Sequence, residues 1–353
     1  FAIRSEGGLY LRNVKTGGYR AALEKSDVKV EGRGADRRVS KLTNVIDGPH
    51  IDEFAGDQLV CLRGEAKGSL KLPVQETPEI PWGDIKADWV NVQEFAHLKK
   101  ESGDWTAAIQ AAIDSGAKTL YFPRDNYLVH GTIHLRGEVE RLFGMGKLSL
   151  NRPKDFASDE PVMIYDDPRA DKLVAIERLS VEGFRHASPG TLVLKHGVLT
   201  PYSNAQGCGK LFMENTSGHP WNFNHPQQVW VRQWNPEAHG PGPVITSRGA
   251  TIWALGFKTE YESSKLWALD DAQTEVLGAF IYPVKKGIPK DRPIFKNVDS
   301  QMAVVYGTSV YVANHETHII DIEDGKELRA DNSHLRWSGS RARMDLYTSH
   351  PFE

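Results

Sequence analysis

DWTAAIQAAIDSGAKTLYFPRDNYLVHGTIHLRGEVERLFGMG, residues 104–146, contains one helix pattern followed directly by several short strand patterns. Asp104 is a typical helix N-cap, and Gly116 stands where a glycine commonly ends a helix. Between them, Ile109 and Ile113 recur at helical spacing on one face. β-Rich runs separated by Pro, Asn and Gly then follow at 119–122, 127–129 and 132–135. The stretch therefore predicts a capping helix near 104–116 that covers the end of a stacked β-structure.

The same stretch resembles a known family. It is similar to the opening of right-handed parallel β-helix proteins of the pectate-lyase-like superfamily. More narrowly, it resembles the polygalacturonase-related branch, which includes the double-β-helix exo-β-1,3-glucanases. The matching residues are Asp104, Thr106, Ala107, Ala108, Ile109, Gln110, Ala112, Ile113, Asp114, Ser115, Gly116, Tyr121, Phe122, Pro123, Tyr127, Gly131, Thr132, Ile133, Arg136, Gly137, Gly144 and Gly146.

Two later segments extend the resemblance, LGFKTE at 255–260 and TEVLGAFIYP at 274–283, so that it covers about 85–310. Trp105 departs from the pattern, which commonly has a second acidic residue there. The resemblance implies a right-handed parallel β-helix. It says little about the reaction, because this fold hosts lyases, hydrolases, epimerases and inert binding proteins.

Apolar strand centres recur along the chain after residue 146. The centres chosen are Leu179–Val181, Leu211–Met213, Val229–Val231, Ile252–Leu255, Val276–Leu277 and Val304–Val305. Their spacings of about 32, 18, 23, 24 and 28 residues match one coil of a stacked solenoid, and the gaps show no helical periodicity. The sequence therefore predicts an all-β parallel β-helix with an N-terminal capping helix.

Prolines at 73, 78 and 81 mark a boundary before this β-helix. Residues 73–89 are predicted to form a linker that Trp82 and Trp89 dock onto the neighbouring surface. Residues 1–72 are predicted to be the terminal coils of a preceding β-domain, with a small β-subdomain beside the main helix as the alternative. Residues 90–310 form the predicted β-helix, and 311–353 a C-terminal hairpin or cap around Gly325.

Composition excludes several classes of partner. The formal net charge of −3 gives no case for nucleic acid, and no apolar run approaches the roughly 20 residues of a membrane span. Cys61 and Cys208 lack metal-ligand spacing and are interpreted as buried thiols rather than a disulfide.

The chain starts in a strand-like pattern without Met or signal peptide, so we expect an excerpt of a longer chain.

Aromatic residues concentrate between residues 196 and 275. This span holds Trp221, Trp230, Trp234, Trp253, Trp267, His196, His219, His225 and His239. Indole rings stack on the apolar faces of sugars, and polar side chains bind sugar hydroxyls. The predicted substrate-binding residues are Trp221, Trp230, Trp234, Trp253, His225 and Lys258. The alternative is that these aromatic side chains pack loops against the β-helix.

Carboxylates near the predicted coil edges are the candidate catalytic groups. Glycoside hydrolysis needs two carboxyl groups about 5–9.5 Å apart, and equivalent positions of successive coils lie about 4.8 Å apart. Glu260 is predicted to be the proton donor or nucleophile, with Asp271 or Glu275 as its partner. The alternative is that Glu260 pairs with Lys258 or is solvated at a turn.

Other kinds of site fit less well. Asp166, Asp167 and Arg169 form the acidic and basic group that a calcium-dependent lyase would want, but they lie in a charged loop typical of solvated surface. His130 and His134 lie in a β-run and are not predicted to bind a metal. No cofactor is therefore predicted, and calcium is considered only for a lyase.

These patterns favour an extracellular, cell-surface or periplasmic glycoside hydrolase that acts on a polysaccharide. The alternatives are a non-catalytic surface, adhesion or scaffold β-helix that binds glycans, and a polysaccharide lyase. The predicted partner is a polysaccharide or glycan, without nucleic acid or a membrane span. The sequence does not decide whether the chain forms a homo-oligomer by sideways stacking.

Overall fold

The computed structural model describes residues 1–31, 38–56, 58–66, 68–84, 88–146, 148–155 and 158–350. Parts of the predicted segments 1–72, 73–89 and 311–353 therefore lie outside the described residues. Among these residues, the helices with described bounds are α1 (Thr106–Asp114) and two 3-10 helices, Val92–Leu98 and Asn332–His334. The strands are β1 (Ile3–Ser5), β2 (Tyr10–Lys15), β3 (Leu23–Glu31), β4 (Arg38–Ile46), β5 (His50–Ala55), β6 (Leu59–Val60), β7 (Trp89–Asn91), β8 (Thr119–Phe122), β9 (Tyr127–Leu128), β10 (Ile133–Leu135), β11 (Arg141–Gly144), β12 (Ser149–Asn151), β13 (Met163–Tyr165), β14 (Leu173–Glu177), β15 (Ser180–His186), β16 (Thr191–Lys195), β17 (Val198–Asn204), β18 (Leu211–Ser217), β19 (Trp221–Phe223), β20 (Gln228–Asn235), β21 (Pro243–Arg248), β22 (Thr251–Glu260), β23 (Ser264–Leu269), β24 (Gln273–Tyr282), β25 (Phe295–Val298), β26 (Gln301–Ser309), β27 (Thr317–Glu323), β28 (Lys326–Asp331), β29 (Arg336–Ser338) and β30 (Arg341–Thr348).

Two long sheets of parallel strands form the body of the molecule. The first sheet has the order β7-β8-β11-β14-β16-β18-β20-β22-β24-β26, and the second runs β10-β13-β15-β17-β19-β21-β23-β25-β27. From β13 to β27 the chain alternates between the two sheets, so each coil adds one strand to both. The chain is therefore an all-β parallel β-helix, as the sequence predicts.

Inward side chains form stacked columns that make up the core. One column of the first sheet consists of Leu142, Ile176, Leu194, Met213, Val231, Ala254, Val276 and Val304, which occupy paired positions of successive strands. All eight are fully buried. Each large aliphatic side chain stabilises the fold by roughly 1.5–3 kcal/mol when removed from water, and no coil can bury its own column alone.

One predicted strand centre belongs to the other sheet. Val181 pairs within the second sheet as part of β15, whereas the other predicted centres lie in the first sheet. The first-sheet strand between β14 and β18 is β16, with Leu192 and Leu194 buried. The predicted gap of about 32 residues therefore spans two missed strands, β16 and β17, and the paired positions Ile176, Leu194 and Met213 give the true coil length there.

The capping helix α1 covers the start of the β-helix. Ala108, Ile109, Ala112 and Ile113 are buried on one face, and Gly116 follows the helix with a φ of 86°. The helix begins at Thr106, slightly later than predicted, while the Asp104 carboxylate still accepts the backbone N–H of Thr106 at 2.9 Å.

Trp105 occupies the position where the family pattern has an acid. It is 2% exposed and packs against Tyr127, with ring centroids 4.9 Å apart. The departure from the pattern therefore adds apolar packing beneath the cap.

An extended strap, residues 71–81, crosses the outer face of the first sheet from β24 to β11. At one end, the backbone N–H groups of Lys71 and Leu72 donate to Glu275. At the other end, Arg141 donates to the carbonyls of Ile80 and Pro81, at 2.6 and 3.0 Å. Because hydrogen bonds hold both ends, the strap is a fixed part of the surface.

The strap also buries an apolar stripe on that outer face. Leu72 and Ile80 pack in a cluster with Phe212, Trp230 and Trp253. This cluster bridges the strap and the sheet.

The predicted docking residues Trp82 and Trp89 stack on each other, with ring centroids 5.7 Å apart, and Trp82 meets Phe143 edge to face. The assignment of 73–89 as a linker stays a prediction.

Both ends of the chain add strands near the last coils. β1 pairs with β3, β3 with β4, and β2 with β5, and the short strand β6 pairs with β30. The β27–β28 hairpin turns at Gly325, and β30 runs antiparallel to β26. These C-terminal strands follow the last parallel strands of the two sheets. The assignment of 1–72 to a preceding domain stays a prediction.

The structure also shows the state of the two cysteines and whether a helix could cross a membrane. Cys61 and Cys208 are both free and half-buried, so no disulfide joins them. Within the described ranges, no helix is long and apolar enough to cross a membrane.

Candidate functional site

Two of the predicted sugar-binding tryptophans lie inside the β-helix. Trp221 and Trp234 are 0% and 1% exposed and meet edge to face, with ring centroids 5.7 Å apart. Both belong to the main core cluster, because they fall on inward positions of β19 and β20. Neither ring offers a face to a ligand.

The other two predicted tryptophans point outward but are covered by the strap. Trp230 and Trp253 occupy paired positions on β20 and β22 and are 4% and 5% exposed. The indole N–H of Trp230 donates to the Pro73 carbonyl at 2.8 Å. The strap therefore takes the place that a stacked sugar would need.

His225 lies half-buried in the loop between β19 and β20. Its backbone N–H donates to the Asn204 side-chain oxygen at 3.1 Å, and its carbonyl accepts the Asn204 amide at 2.9 Å. The loop is therefore fixed to the neighbouring coil through Asn204.

The predicted carboxylate pair is not brought together. Glu260 pairs with Tyr282, whereas Glu275 pairs with Trp253 on the same two strands. Seven residues along a strand, from 253 to 260, separate the two paired backbone positions by about 23 Å. Glu275 is also fully buried, which removes it from any substrate.

Asp271 stands at another corner of the coil. It is exposed, and its backbone N–H donates to the Asp299 carbonyl at 3.0 Å. Asp271 lines a cavity of about 340 Å³ with several acidic side chains, which does not include Glu260. The pairing of Glu260 with Asp271 is thus absent from the structure as well.

Glu237 is the carboxylate that lies beside Glu260. Trp234 and Phe257 are paired across β20 and β22, so Glu237 and Glu260, each three residues further on, fall at equivalent positions of successive coils. The Lys258 ammonium donates to Glu237 Oε1 at 2.6 Å and also contacts Glu260 Oε1. Two such hydrogen bonds place the carboxylate oxygens within about 5 Å of one another.

Tyr282 extends this arrangement by one more coil. Its hydroxyl donates to Glu260 Oε1 at 2.5 Å. We call Glu237, Lys258, Glu260 and Tyr282 the carboxylate column. Their exposure suits a binding surface, because the side chains of Glu237, Glu260 and Lys258 are 25%, 24% and 40% exposed.

Charges within the carboxylate column are set by its own contacts. The hydrogen bond from Lys258, followed by the one from Tyr282, lowers the pKa of Glu260. The same contact with Glu260 raises the pKa of Tyr282. Near neutral pH, Glu260 is therefore an anion that accepts hydrogen bonds from a neutral phenol and a charged ammonium group.

Exposed aromatic rings flank the carboxylate column. Phe280 is 41% exposed and Tyr311 63% exposed. Their ring centroids lie 5.1 and 5.2 Å from that of Tyr282. The surface thus combines three neighbouring rings with two carboxylates and an ammonium group, which are the groups that bind sugar faces and hydroxyls.

A buried lysine holds the turn that follows Glu260. Lys265 is 0% exposed, and its ammonium donates to the carbonyls of Glu260 and Tyr261, at 2.5 and 2.9 Å. Tyr261 has a φ of 66°, so the turn needs such support. Burial lowers the pKa of Lys265 to about 7.

The acidic side chains considered as calcium ligands, Asp166 and Asp167, already pair with basic side chains. Asp167 accepts two hydrogen bonds of 2.9 Å from the Arg169 guanidinium, and Asp166 contacts His134 Nδ1 at 2.6 Å. In the part of the chain that the structure describes, no group of three or more His, Cys, Asp or Glu side chains is arranged to hold a metal.

Comparisons with known proteins add little to this geometry. No protein-family model matches the chain, and no curated protein matches it. Among solved structures, the chain is similar to a protein described as Geobacillus virus E2 ORF18, with a TM-score of 0.35 and 14% sequence identity. The match covers 72% of this chain and 68% of that chain. A likeness this distant carries no argument about function.

Proposed function

We propose that this chain binds a polysaccharide at the carboxylate column. The observation that carries the proposal is the row of three rings beside Glu237 and Glu260, in which the half-buried Tyr282 lies between the exposed Phe280 and Tyr311. Rings supply stacking faces for the apolar side of a sugar, and the carboxylates accept hydrogen bonds from its hydroxyls. Membership of the pectate-lyase-like superfamily and a location at the cell surface, in the periplasm or outside the cell belong to the same proposal.

Polysaccharide binding is tested by substituting two tyrosines that are equally exposed, one beside the carboxylate column and one far from it in sequence. Tyr311 is 63% exposed next to the carboxylate column, and Tyr19 is 61% exposed near the N-terminus. Titration calorimetry against a panel of neutral and acidic polysaccharides should detect a ligand for the wild type. Tyr311→Ala should weaken that binding about tenfold, while Tyr19→Ala should not. Equal effects of the two substitutions, or no ligand in the panel, would overturn the proposal.

A second function, hydrolysis of a glycosidic bond, is favoured by the spacing of the two carboxylates. Retaining glycosidases hold their two carboxyl groups about 5–5.5 Å apart, and the shared Lys258 ammonium keeps oxygens of Glu237 and Glu260 within about 5 Å of each other. Glu260 suits the nucleophile, because Lys258 and Tyr282 lower its pKa and keep it ionised. Glu237 would then be the second carboxyl group of the pair, once substrate displaces Lys258 from it.

Hydrolysis is tested by assaying a polysaccharide panel for new reducing ends and for unsaturated products. Glu260→Gln and Glu237→Gln should each abolish the release of reducing ends. Glu214→Gln is the control, because Glu214 pairs with Lys195 on the same sheet, outside the carboxylate column. Unsaturated products would indicate a lyase. Binding that persists without any product would leave the glycan-binding function and exclude hydrolysis.

A further inference from the structure

An ammonium group already occupies the centre of the carboxylate column. Lys258 Nζ donates to Glu237 Oε1 at 2.6 Å and to Glu260 Oε1. The same nitrogen lies 5.4 Å from the centroid of the Tyr282 ring. Carboxylates and an aromatic ring bind an ammonium ion through charge-assisted hydrogen bonds and a cation–π contact. The place of Lys258 Nζ is therefore shaped to hold an ammonium group.

The surroundings of Lys258 stabilise its charged form. Burial lowers its pKa, but the hydrogen bonds to Glu237 and Glu260 and the charges of these carboxylates raise the pKa above its ordinary value. Because the two carboxylates cause this rise, they would also hold another primary amine at the same position as a cation.

Each carboxylate of the column keeps one oxygen for a ligand. The hydrogen bonds from Lys258 and Tyr282 all end on Oε1. Within the described part of the chain, Oε2 of Glu237 and Oε2 of Glu260 accept no hydrogen bond. Neither is one of the buried polar atoms that lack a partner, so both face solvent. The two carboxylates can therefore accept further hydrogen bonds from a ligand.

The accessible side chains of the carboxylate column carry one negative charge in excess. Glu237 and Glu260 contribute two negative charges and Lys258 one positive charge. Lys265, the lysine behind Glu260, is 0% exposed and donates to backbone carbonyls, so it offers no donor to a ligand. An excess of negative charge disfavours an acidic sugar and favours a cationic one.

Lys258 is able to leave its place between the carboxylates. Its side chain is 40% exposed, and its four-carbon stem is flexible. An amino sugar that stacks on the neighbouring rings of Tyr282 and Tyr311 would bring its own ammonium group to the column. The displaced lysine then extends into water, so one ammonium group replaces another and the carboxylates stay paired.

We propose that the polysaccharide is a polymer of amino sugars, in which one sugar ammonium takes the place of Lys258 Nζ between Glu237 and Glu260. This inference rests on the polysaccharide binding proposed above and narrows its ligand, and it does not depend on hydrolysis. A neutral polymer keeps the stacking on the rings but lacks the ammonium, so it binds more weakly.

Titration calorimetry with three hexasaccharides tests the proposal on the full chain. The probes are a glucosamine hexamer, its N-acetylated form and a galacturonate hexamer, at a mildly acidic pH at which sugar amines are charged. Glu260 stays ionised there, because the hydrogen bonds from Lys258 and Tyr282 lower its pKa. The glucosamine hexamer should bind about tenfold more tightly than the N-acetylated form, and added salt should weaken only the former.

Substitutions in the column identify the groups that hold the ammonium. Glu237→Gln and Glu260→Gln should each reduce the preference for the glucosamine hexamer to less than about threefold. Glu214→Gln is the control and should keep the full preference, since Glu214 pairs with Lys195 outside the column. Lys258→Met should bind the glucosamine hexamer at least as tightly as the wild type. A tenfold loss would show that the lysine itself holds the ligand, which overturns the proposal.

The outcomes separate this inference from the polysaccharide function. Equal binding of the glucosamine hexamer and its N-acetylated form, or tighter binding of the galacturonate hexamer, would overturn the amino-sugar assignment and leave polysaccharide binding in place. Tighter binding of hexalysine than of the glucosamine hexamer would assign the site to a basic peptide instead. If no polysaccharide binds at all, the proposed function fails together with the inference.

Discussion

Arg12 and Glu275, 263 positions apart in the sequence, form an ion pair with Nη1 and Oε2 2.7 Å apart. Their side chains are only 10% and 0% exposed. The Glu275 carboxylate also accepts the backbone N–H groups of Lys71 and Leu72, at 2.7 and 3.2 Å. One carboxylate thus connects the N-terminal strand β2, the strap and β24, which gives Glu275 a structural role.

Glu275→Gln should destabilise the chain strongly. The substitution leaves the Arg12 guanidinium buried without a countercharge, and breaking one side of a buried ion pair costs about 3–5 kcal/mol. Urea denaturation measures the free energy of unfolding. Asp271→Asn is the control, because Asp271 is exposed and a surface change of this kind alters stability by less than about 0.5 kcal/mol. Equal stabilities of the two variants would contradict the structural role of Glu275.

A charge beneath the capping helix should prevent folding. Ile113 is 1% exposed under α1, so Ile113→Asp buries an unpaired carboxylate, and we expect no soluble folded protein. Ala107→Asp places the same charge on an exposed position in the first turn, where a carboxylate is favoured by the helix dipole. Soluble yield and melting temperature distinguish the two. A normal yield of Ile113→Asp would contradict the role of α1 as a cap.

Lys265 should make stability depend on pH above neutrality. Burial lowers its pKa to about 7, from the ordinary 10.5, so between these values the unfolded chain binds one proton more than the folded chain. The free energy of unfolding should therefore rise with pH across this window, by up to about 1.4 kcal/mol per pH unit from this group. Lys265→Met should remove that contribution.

The control for Lys265 is Lys118→Met, since the Lys118 side chain is 55% exposed. Urea denaturation at several pH values between about 7 and 9.5 measures the slope for each variant. The wild type and Lys118→Met should share one slope, and Lys265→Met should have a smaller one. Parallel slopes for all three proteins would show that Lys265 is charged in the folded chain.

Local pattern was sufficient to predict the fold. Ile109 and Ile113 mark one face of α1, and the inward positions of successive strands repeat at the coil length. Each of these signals depends on neighbours within one or two coils. The strap was harder to place, because the prolines predict an extended segment but nothing in them specifies which surface it covers.

The arrangement of the candidate site residues was harder to predict, because the pairing register between strands decides which side chains become neighbours. The predicted site residues include Glu260 and Lys258 but not Glu237, which the proposed site adds and which lies one coil, 23 residues, before Glu260. Applying the predicted coil spacing of 23 to Glu260 would have found it. The direction of Trp221 and Trp234 was also missed, since a tryptophan fits a core position or a surface equally well and only strand alternation decides between them.

Tyr282→Phe should raise the pKa of Glu260. The hydrogen bond from Lys258 is the main cause of the lowered pKa, and the phenol of Tyr282 is the second, so losing the phenol moves the carboxylate part of the way back. Carbon-13 NMR titration of the Glu260 carboxyl measures the shift directly. Lys258→Gln should produce the larger rise, and Tyr311→Phe, which changes a neighbouring ring hydroxyl, should produce none. If a binding or catalytic step requires ionised Glu260, its rate or affinity should fall on acidification at a higher pH in Tyr282→Phe than in the wild type. A pKa of Glu260 that is the same in Tyr282→Phe and Tyr311→Phe would mean that the phenol does not tune this carboxylate, and that Lys258 alone sets its charge.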